Sequence, residues 1–324
     1  MSFRLWRTRA IVSLLVAIPA LASAQSYPSK SIRMVIGVPP GGTNDVVGRL
    51  VAQKLSTQLG QQVLVENRAG AGGNIGGEIV VKSPPDGYVI YLGSIGTMVI
   101  NPSLYPNMPW ETLRDFAPIS RLTSVPQLLI VHPSVPARNV RELIAYAKAR
   151  PGQLNFASGS TGSAIHLAGE VFKSMAGVDM VHIPYKGGGP ALIDLLAGQV
   201  SLMFDQIVTG LPPVRQGKLR ALGVTTLGRS PVAMDIPTIA EAGLPGYDVT
   251  TWHGLFAPAA TPRDIVNRLS SETAKALQSK DISEKFLALG ADPVASTPEQ
   301  FIAFLKAELA KWAKVVKESG AKLE

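Results

Sequence analysis

Short apolar runs alternate with helical patterns along most of this 324-residue chain, and that alternation restricts its fold more than any other feature. "SIRMVIGVP" reads as a buried strand leading into a helix from about Asn44 to Leu59. "QVLVENR" is the next strand, followed by a helix around Gly76 to Lys82 and then by "YVIYLGS". Strands that alternate with helices imply a parallel sheet covered on both faces. The middle of the chain repeats the theme and predicts a second sheet. There "QLLIVHP", "LNFAS", "DMVHIPY", "SLMFDQI" and "LRALGVTT" are strands, and "NVRELIAYAKAR", "AIHLAGEVFKSMA" and "PALIDLLAGQ" are helices. Asn139 with Glu142 three residues on opens the first of these helices, and Pro151-Gly152 closes it.

"YDVTTWHGLFAPAATP" is strand-like and gives way to helices. The last is opened by Thr297-Pro298-Glu299-Gln300 and carries Phe301, Leu305, Leu309, Trp312 and Val316 at helical spacing. Having no strands of their own, these helices are expected to pack back on the first sheet. The fold class is therefore α/β with two lobes, residues 25–123 with 250–324 and residues 124–249. Two crossings, near 123 and near 250, would place a ligand cleft between them.

The first 24 residues bear on compartment. Arg4, Arg7 and Arg9 precede a short apolar core from Ala10 to Ala20, and Ala22-Ser23-Ala24 offers a small-x-small cleavage site before Gln25. The apolar run is too short for an ordinary membrane span, so a cleavable signal peptide and an exported, soluble mature protein are expected. Cleavage removes three arginines and no acid, lowering the net charge from +8 to +5. That charge is mild and scattered, so nucleic acid is not an expected partner. The chain has no cysteine, so ordinary apolar cores must hold it together, and 300 residues can bury two.

Four strand ends carry glycine turns: Pro39 to Asp45, Arg68 to Gly73, Ser158 to Ser163, and Tyr185 to Pro190. Glycine lets a ligand approach the main chain, and a helix's first turn offers N–H groups at the positive end of its dipole. Such turns suit a small anion. The first and third, one in each lobe, are the expected binding pair. Gly41-Gly42 leads to Thr43-Asn44-Asp45 rather than Gly-Lys-Ser/Thr, so a nucleotide triphosphate is not indicated. The second turn lacks the dinucleotide spacing and its distant acid, so no cofactor is expected.

Catalytic chemistry finds little support. There is no Gly-x-Ser-x-Gly elbow and no thiol nucleophile. His166 and Glu170 could share a metal, but no third ligand is spaced to join them, so no metal is expected and His132, His166, His182 and His253 read as structural. Asp205, after the apolar "SLMF", either hydrogen-bonds loop backbone or meets a donor on the ligand.

Taken together, "PPGGTND", "ENRAGAGGNIGG", "PPDGY", "NFASGSTGSAIHLAGEVF", "HIPYKGGGPALIDLLAGQVSLMFDQ" and "GKLRALGVTT" resemble one family from about residue 28 to the C-terminus. It is the periplasmic substrate-binding component of tripartite tricarboxylate transporters, the Bug-type receptors. The resemblance implies a periplasmic-binding-protein-like fold of type II-like form, closing on a small carboxylated molecule without changing it. Carried over, it points to Gly42, Thr43 and Asp45 in one lobe and to Ser158, Gly159, Thr161, Gly162 and Ser163 in the other, with Asp205 at the cleft. It further implies a monomer that serves a membrane transporter complex. Relatives often carry an aromatic residue before the two prolines, whereas here it is Val38, which leaves ligand shape open. The alternatives are an exported hydrolase or transferase acting on a carboxylated substrate, and a solute sensor without a transporter.

Overall fold

The computed structural model describes residues 27–319 apart from 42, 160 and 186, and the side chains of 318 and 319 are not described. The signal peptide expected over residues 1–24 lies outside this range. The first lobe opens with β1 (Ile32–Ile36), α1 (Thr43–Leu59), β2 (Val63–Asn67), α2 (Asn74–Val81) and β3 (Val89–Ser94). Two short helices, α3 (Asn101–Leu104) and α4 (Thr112–Asp115), lead to the long strand β4 (Phe116–Val125). Beyond Pro126 the second lobe begins with β5 (Gln127–Val131) and α5 (Val140–Lys148). It continues through β6 (Asn155–Ser158), α6 (Ala164–Ala176), β7 (Val181–Pro184), α7 (Gly188–Leu196), β8 (Leu202–Gln206), α8 (Ile207–Arg215), β9 (Arg220–Val224) and α9 (Ile239–Ala242). The chain then returns to the first sheet as β10 (Thr251–Pro258), α10 (Arg263–Gln278), α11 (Lys280–Ala288), β11 (Asp292–Pro293) and α12 (Pro298–Ser319).

Two sheets result, ordered β11-β4-β10-β3-β1-β2 and β7-β6-β8-β5-β9. The first sheet, expected parallel, is mixed, and so is the second. β1 runs parallel to β2 and β3, and β6 parallel to β7 and β8. β10, however, is antiparallel to β3 and β4, and β5 is antiparallel to β8 and β9. β5 follows β4 through Pro126 alone, and β10 returns from the other sheet, so neither is joined to its sheet neighbours by the βαβ crossover that keeps strands parallel.

Local signals set the helix starts. Asn139 accepts from the Glu142 N–H at 2.9 Å while Glu142 accepts from the Arg138 N–H. At α12, Gln300 N–H donates to Thr297 Oγ1 at 3.2 Å and Thr297 N–H donates back to Gln300 Oε1 at 3.0 Å, a reciprocal cap.

The packing differs from two separate cores in one respect. One apolar cluster runs through both lobes, joining Val35, Tyr91 and Trp110 of the first to Phe156, Leu167 and Phe172 of the second. Phe301, Leu305, Trp312 and Val316 of α12 belong to the same cluster, so α12 packs on β4 and also on α6 across the lobe boundary. The Trp252 and Trp312 indole N–H groups both donate to Glu308 Oε2, at 3.3 and 3.0 Å, which satisfies a carboxylate buried in that seam.

Trp312→Ala should therefore destabilise the protein by about 3–5 kcal/mol, the usual range for truncating a buried aromatic. Because the core is shared, urea unfolding followed by fluorescence and by far-UV circular dichroism should give one coincident transition. Two separated midpoints in the wild type would contradict the shared core.

Candidate functional site

The first glycine turn is fixed from below and from the side. Gly37, just after β1, has no room for a side chain, because a Cβ there would lie 2.7 Å from the Gly73 carbonyl. The second turn thus serves to pack against the end of β1. In the first turn, Asp45 is buried and accepts from Gly41 N–H, Asn67 Nδ2 and Arg49 Nε, each at 3.0 Å. The bond from Arg49 is the main reason its carboxyl is held below the usual range. The Asp45 side chain therefore shapes the turn and is not presented to a ligand. Gly42, expected in the site, lies outside the described residues.

Thr43 and Asn44 face away from that scaffold. Thr43 Oγ1 donates to Gln206 Oε1 at 2.8 Å, a hydrogen bond from one lobe to the other. Asn44 Oδ1 accepts from His253 Nε2 at 2.9 Å, and His253 Nδ1 accepts from Thr123 Oγ1 at 2.8 Å. Complete burial pushes the His253 ring down to about 4, so it is neutral at physiological pH. Its register opposite Ser94, the last residue of β3, puts this chain of bonds at the cleft end of the first sheet.

The lobe 2 turn follows β6. Phe156 and Ala157 pair with Leu202 and Met203 of β8, so Ser158 and Gly159 lie level with Phe204 and Asp205, one strand spacing of about 4.8 Å away. The first turn touches Gln206 at the end of β8, so the two turns flank the same strand end. Gly159 C=O accepts from Gly187 N–H at 2.7 Å, which joins the third turn to the fourth. Gly162 sits at φ +75°, and a Cβ there would meet Leu104 of the first lobe at 2.8 Å. A larger residue would be strained by that φ and would have to displace the end of the Leu104 side chain. Thr161 is half-buried between these points.

Two serines bond histidines of their own lobe. Ser158 is fully buried with its Oγ 2.6 Å from His182 Nε2, and Ser163 caps α6 by accepting from His166 N–H at 3.2 Å. Gly162 N–H donates to His166 Nδ1 at 3.0 Å. The rings of His166 and His182 stack with centroids 3.7 Å apart, and burial together with the His166 ring lowers the His182 value to about 4.

Asp205 does not reach the cleft. It is 3% exposed and lies beneath α8, against Gly210 and Leu128, with Oδ2 unpartnered. Strand alternation turns the next residue the other way, so Gln206 is the side chain that meets lobe 1. Residue order alone does not say which of the two faces inward. A cavity of about 550 Å³ lies between α6 and α12, lined by residues such as Glu170, Asp248 and Trp312 and by none of the turn residues. Among the described residues no three His, Cys, Asp or Glu side chains converge as metal ligands. No described helix is long and apolar enough to cross a membrane.

Comparison with known proteins bears directly on this architecture. Residues 47–321 match the family described as tripartite tricarboxylate transporter family receptor. This chain belongs to that receptor family. The match begins beyond the first turn, but a relative covers that too. Protein BugT of Bordetella pertussis is 40% identical over 322 residues, 98% of this chain and 99% of BugT. Among solved structures, R. palustris Rpa4515 with adipate superposes with a TM-score of 0.80 at 38% identity, covering 92% of this chain and 100% of that one. MatC from Rhodopseudomonas palustris with bound malate gives 0.76 at 34% identity, with 90% and 100% covered. The periplasmic binding protein BugD gives 0.76 at 36%, with 92% and 100% covered. The receptor thus has the two-lobed α/β fold of solute-binding proteins and is not an enzyme.

Burial pushes the Asp205 carboxyl up to about 6, above its ordinary unfolded value of about 3.9. The folded receptor then binds more protons than the unfolded chain between those values, so the burden on stability is present above pH 6 and fades as pH falls toward 4. The melting temperature of Asp205→Asn relative to wild type should be higher near pH 7.5 than near pH 4.5. A difference that does not change with pH would mean the carboxyl ionises normally.

Proposed function

We propose that this receptor captures a small carboxylate between its lobes in the periplasm, as a monomer, and delivers it unchanged to a tripartite transporter in the membrane. The observation that carries this reading is that two strand-end turns from different lobes flank the end of β8, where Thr43 of the first turn donates to Gln206 of the other lobe. Each turn leads into a helix, so N–H donors and the positive ends of two helix dipoles converge there. In this reading Gly42, Thr43, Thr161 and Gly162 line the ligand. Asn44 and Gln206 add amide groups beside them, while Asp45, Ser158, Gly159 and Ser163 hold the turns in shape. The adipate and malate in the structures of relatives support a carboxylate as the ligand class.

A hydrolase would need a nucleophile that substrate can reach. Ser158 has a histidine beside it, but it is 0% exposed beneath the turn. The receptor reading does not need it exposed.

The molecule that co-purifies with the receptor, identified by mass spectrometry, should carry a carboxylate. Replacing that carboxylate by a primary amide should cost about 1.5–3 kcal/mol, roughly ten- to hundred-fold in affinity by isothermal titration. Gly162→Val should abolish binding while the protein still folds. Equal affinity for acid and amide would sink the carboxylate reading.

The periplasmic location rests on the basic, apolar and small-residue pattern of residues 1–24 and is supported by the description of BugD. The intact mass of receptor from the periplasm should correspond to a chain beginning at Gln25. A mature chain that keeps residues 1–24 would refute the export route.

A further inference from the structure

The lobe 2 turn rests on a cluster of ionisable groups that the binding reading above does not use. Gly162 N–H can only donate, so the Nδ1 atom that receives it at 3.0 Å must carry a lone pair and no proton. His166 is thereby held as the neutral tautomer with its proton on Nε2, which faces Glu170 Oε1 at 3.7 Å. His182 of β7 stacks on the ring from the other side and engages Ser158 Oγ at 2.6 Å. Phe156 of β6 also stacks near His166, its ring centroid 6.1 Å away. Lys173 donates to Glu170 at 2.9 Å, while Asp248 and, from α12, Lys311 and Lys314 line the cavity that Glu170 also borders.

We infer that His166 is a positioning residue for the ligand-binding turn, holding Gly162 through a bare Nδ1, so that acidification releases the turn and weakens capture. This rests on the reading of the 158–163 turn as part of the site. Adding a proton at Nδ1 removes the acceptor and sets one N–H against another, so the bond is lost. Glu170, Lys173 and the stacked His182 are the ionisable groups gathered around the ring. The result is a turn that is rigid at neutral pH and loosens in acid. An asparagine at this position keeps an acceptor at the same branch point as Nδ1 but cannot titrate, and a leucine keeps volume without an acceptor.

The test is amide exchange resolved at Gly162 between about pH 7.5 and pH 5, corrected for intrinsic chemistry, in wild type, His166→Asn and His166→Leu. Wild type should lose roughly tenfold or more of its protection on acidification, His166→Asn should keep it throughout, and His166→Leu should lack it at every pH. Should the leucine variant fail to fold, the asparagine variant alone decides. Unchanged wild-type protection in acid, or the same acid loss in His166→Asn, would overturn the proposal. Titration of adipate and malate near neutral pH separates the two readings. Where either acid binds wild type, His166→Leu should bind it about tenfold or more weakly and His166→Asn nearly as well as wild type. Exchange that follows the expected pattern, with neither acid bound by wild type, would uphold the positioning role and place the failure in the ligand class.

Discussion

Everything in this receptor is arranged around the seam packed by α12. Its apolar stripe, Phe301, Leu305, Trp312 and Val316, fills a single cluster whose other members come from both sheets. A close-packed interior transmits displacement rather than absorbing it, so this seam fixes one side of the molecule. The buried Glu308 takes two indole N–H groups within the seam, and Lys311 pairs with it from the rim. A carboxylate so placed would be costly without those partners, which also fix the positions of the two indoles.

The polar side chains near the turns are mostly committed to shaping them. Asp45 closes the first turn onto Gly41, Ser163 caps α6, Ser158 is held by His182, and His166 receives the Gly162 N–H. In the proposed reading, a ligand would meet chiefly main chain, together with side chains such as Thr43 and Gln206 that cross between lobes. Main-chain donors recognise an anionic group and say little about the rest of the molecule. In that reading one scaffold would serve different carboxylates, and relatives are seen with adipate and with malate.

Much of the local structure was legible in the residues. "AIHLAGEVFKSMA" coincides with α6, and the caps at Asn139 and Thr297 form as their spacing requires, because a cap depends only on residues three apart. Less legible was α8, whose interior Pro212 and Pro213 each lack an N–H and read as a break. The long strand β4 was also unmarked, since its sequence breaks strict alternation and its pairing with β10 contains register shifts. Of the site, the glycine turns could be seen, but the side chains behind them could not. Asn44 and Gln206 lie within marked stretches, but that they come together with His253 and Leu104 depends on segments far apart in the chain.

The sequence by itself determined most of the strand and helix elements, the glycine turns at strand ends and the membership of a receptor family. Each of these depends on periodicity, capping or ordered motifs carried within a short stretch. Only the tertiary structure decided that the sheets are mixed, that one core spans both lobes, and that Gln206 and not Asp205 faces the first lobe. Strand direction after a crossing, the far partner of an apolar stripe and the side of the sheet that a helix covers all depend on residues hundreds of positions apart or on packing. A buried carboxylate and an interlobe hydrogen bond lie one residue apart in this chain, and the pleat of β8 sends them to opposite faces.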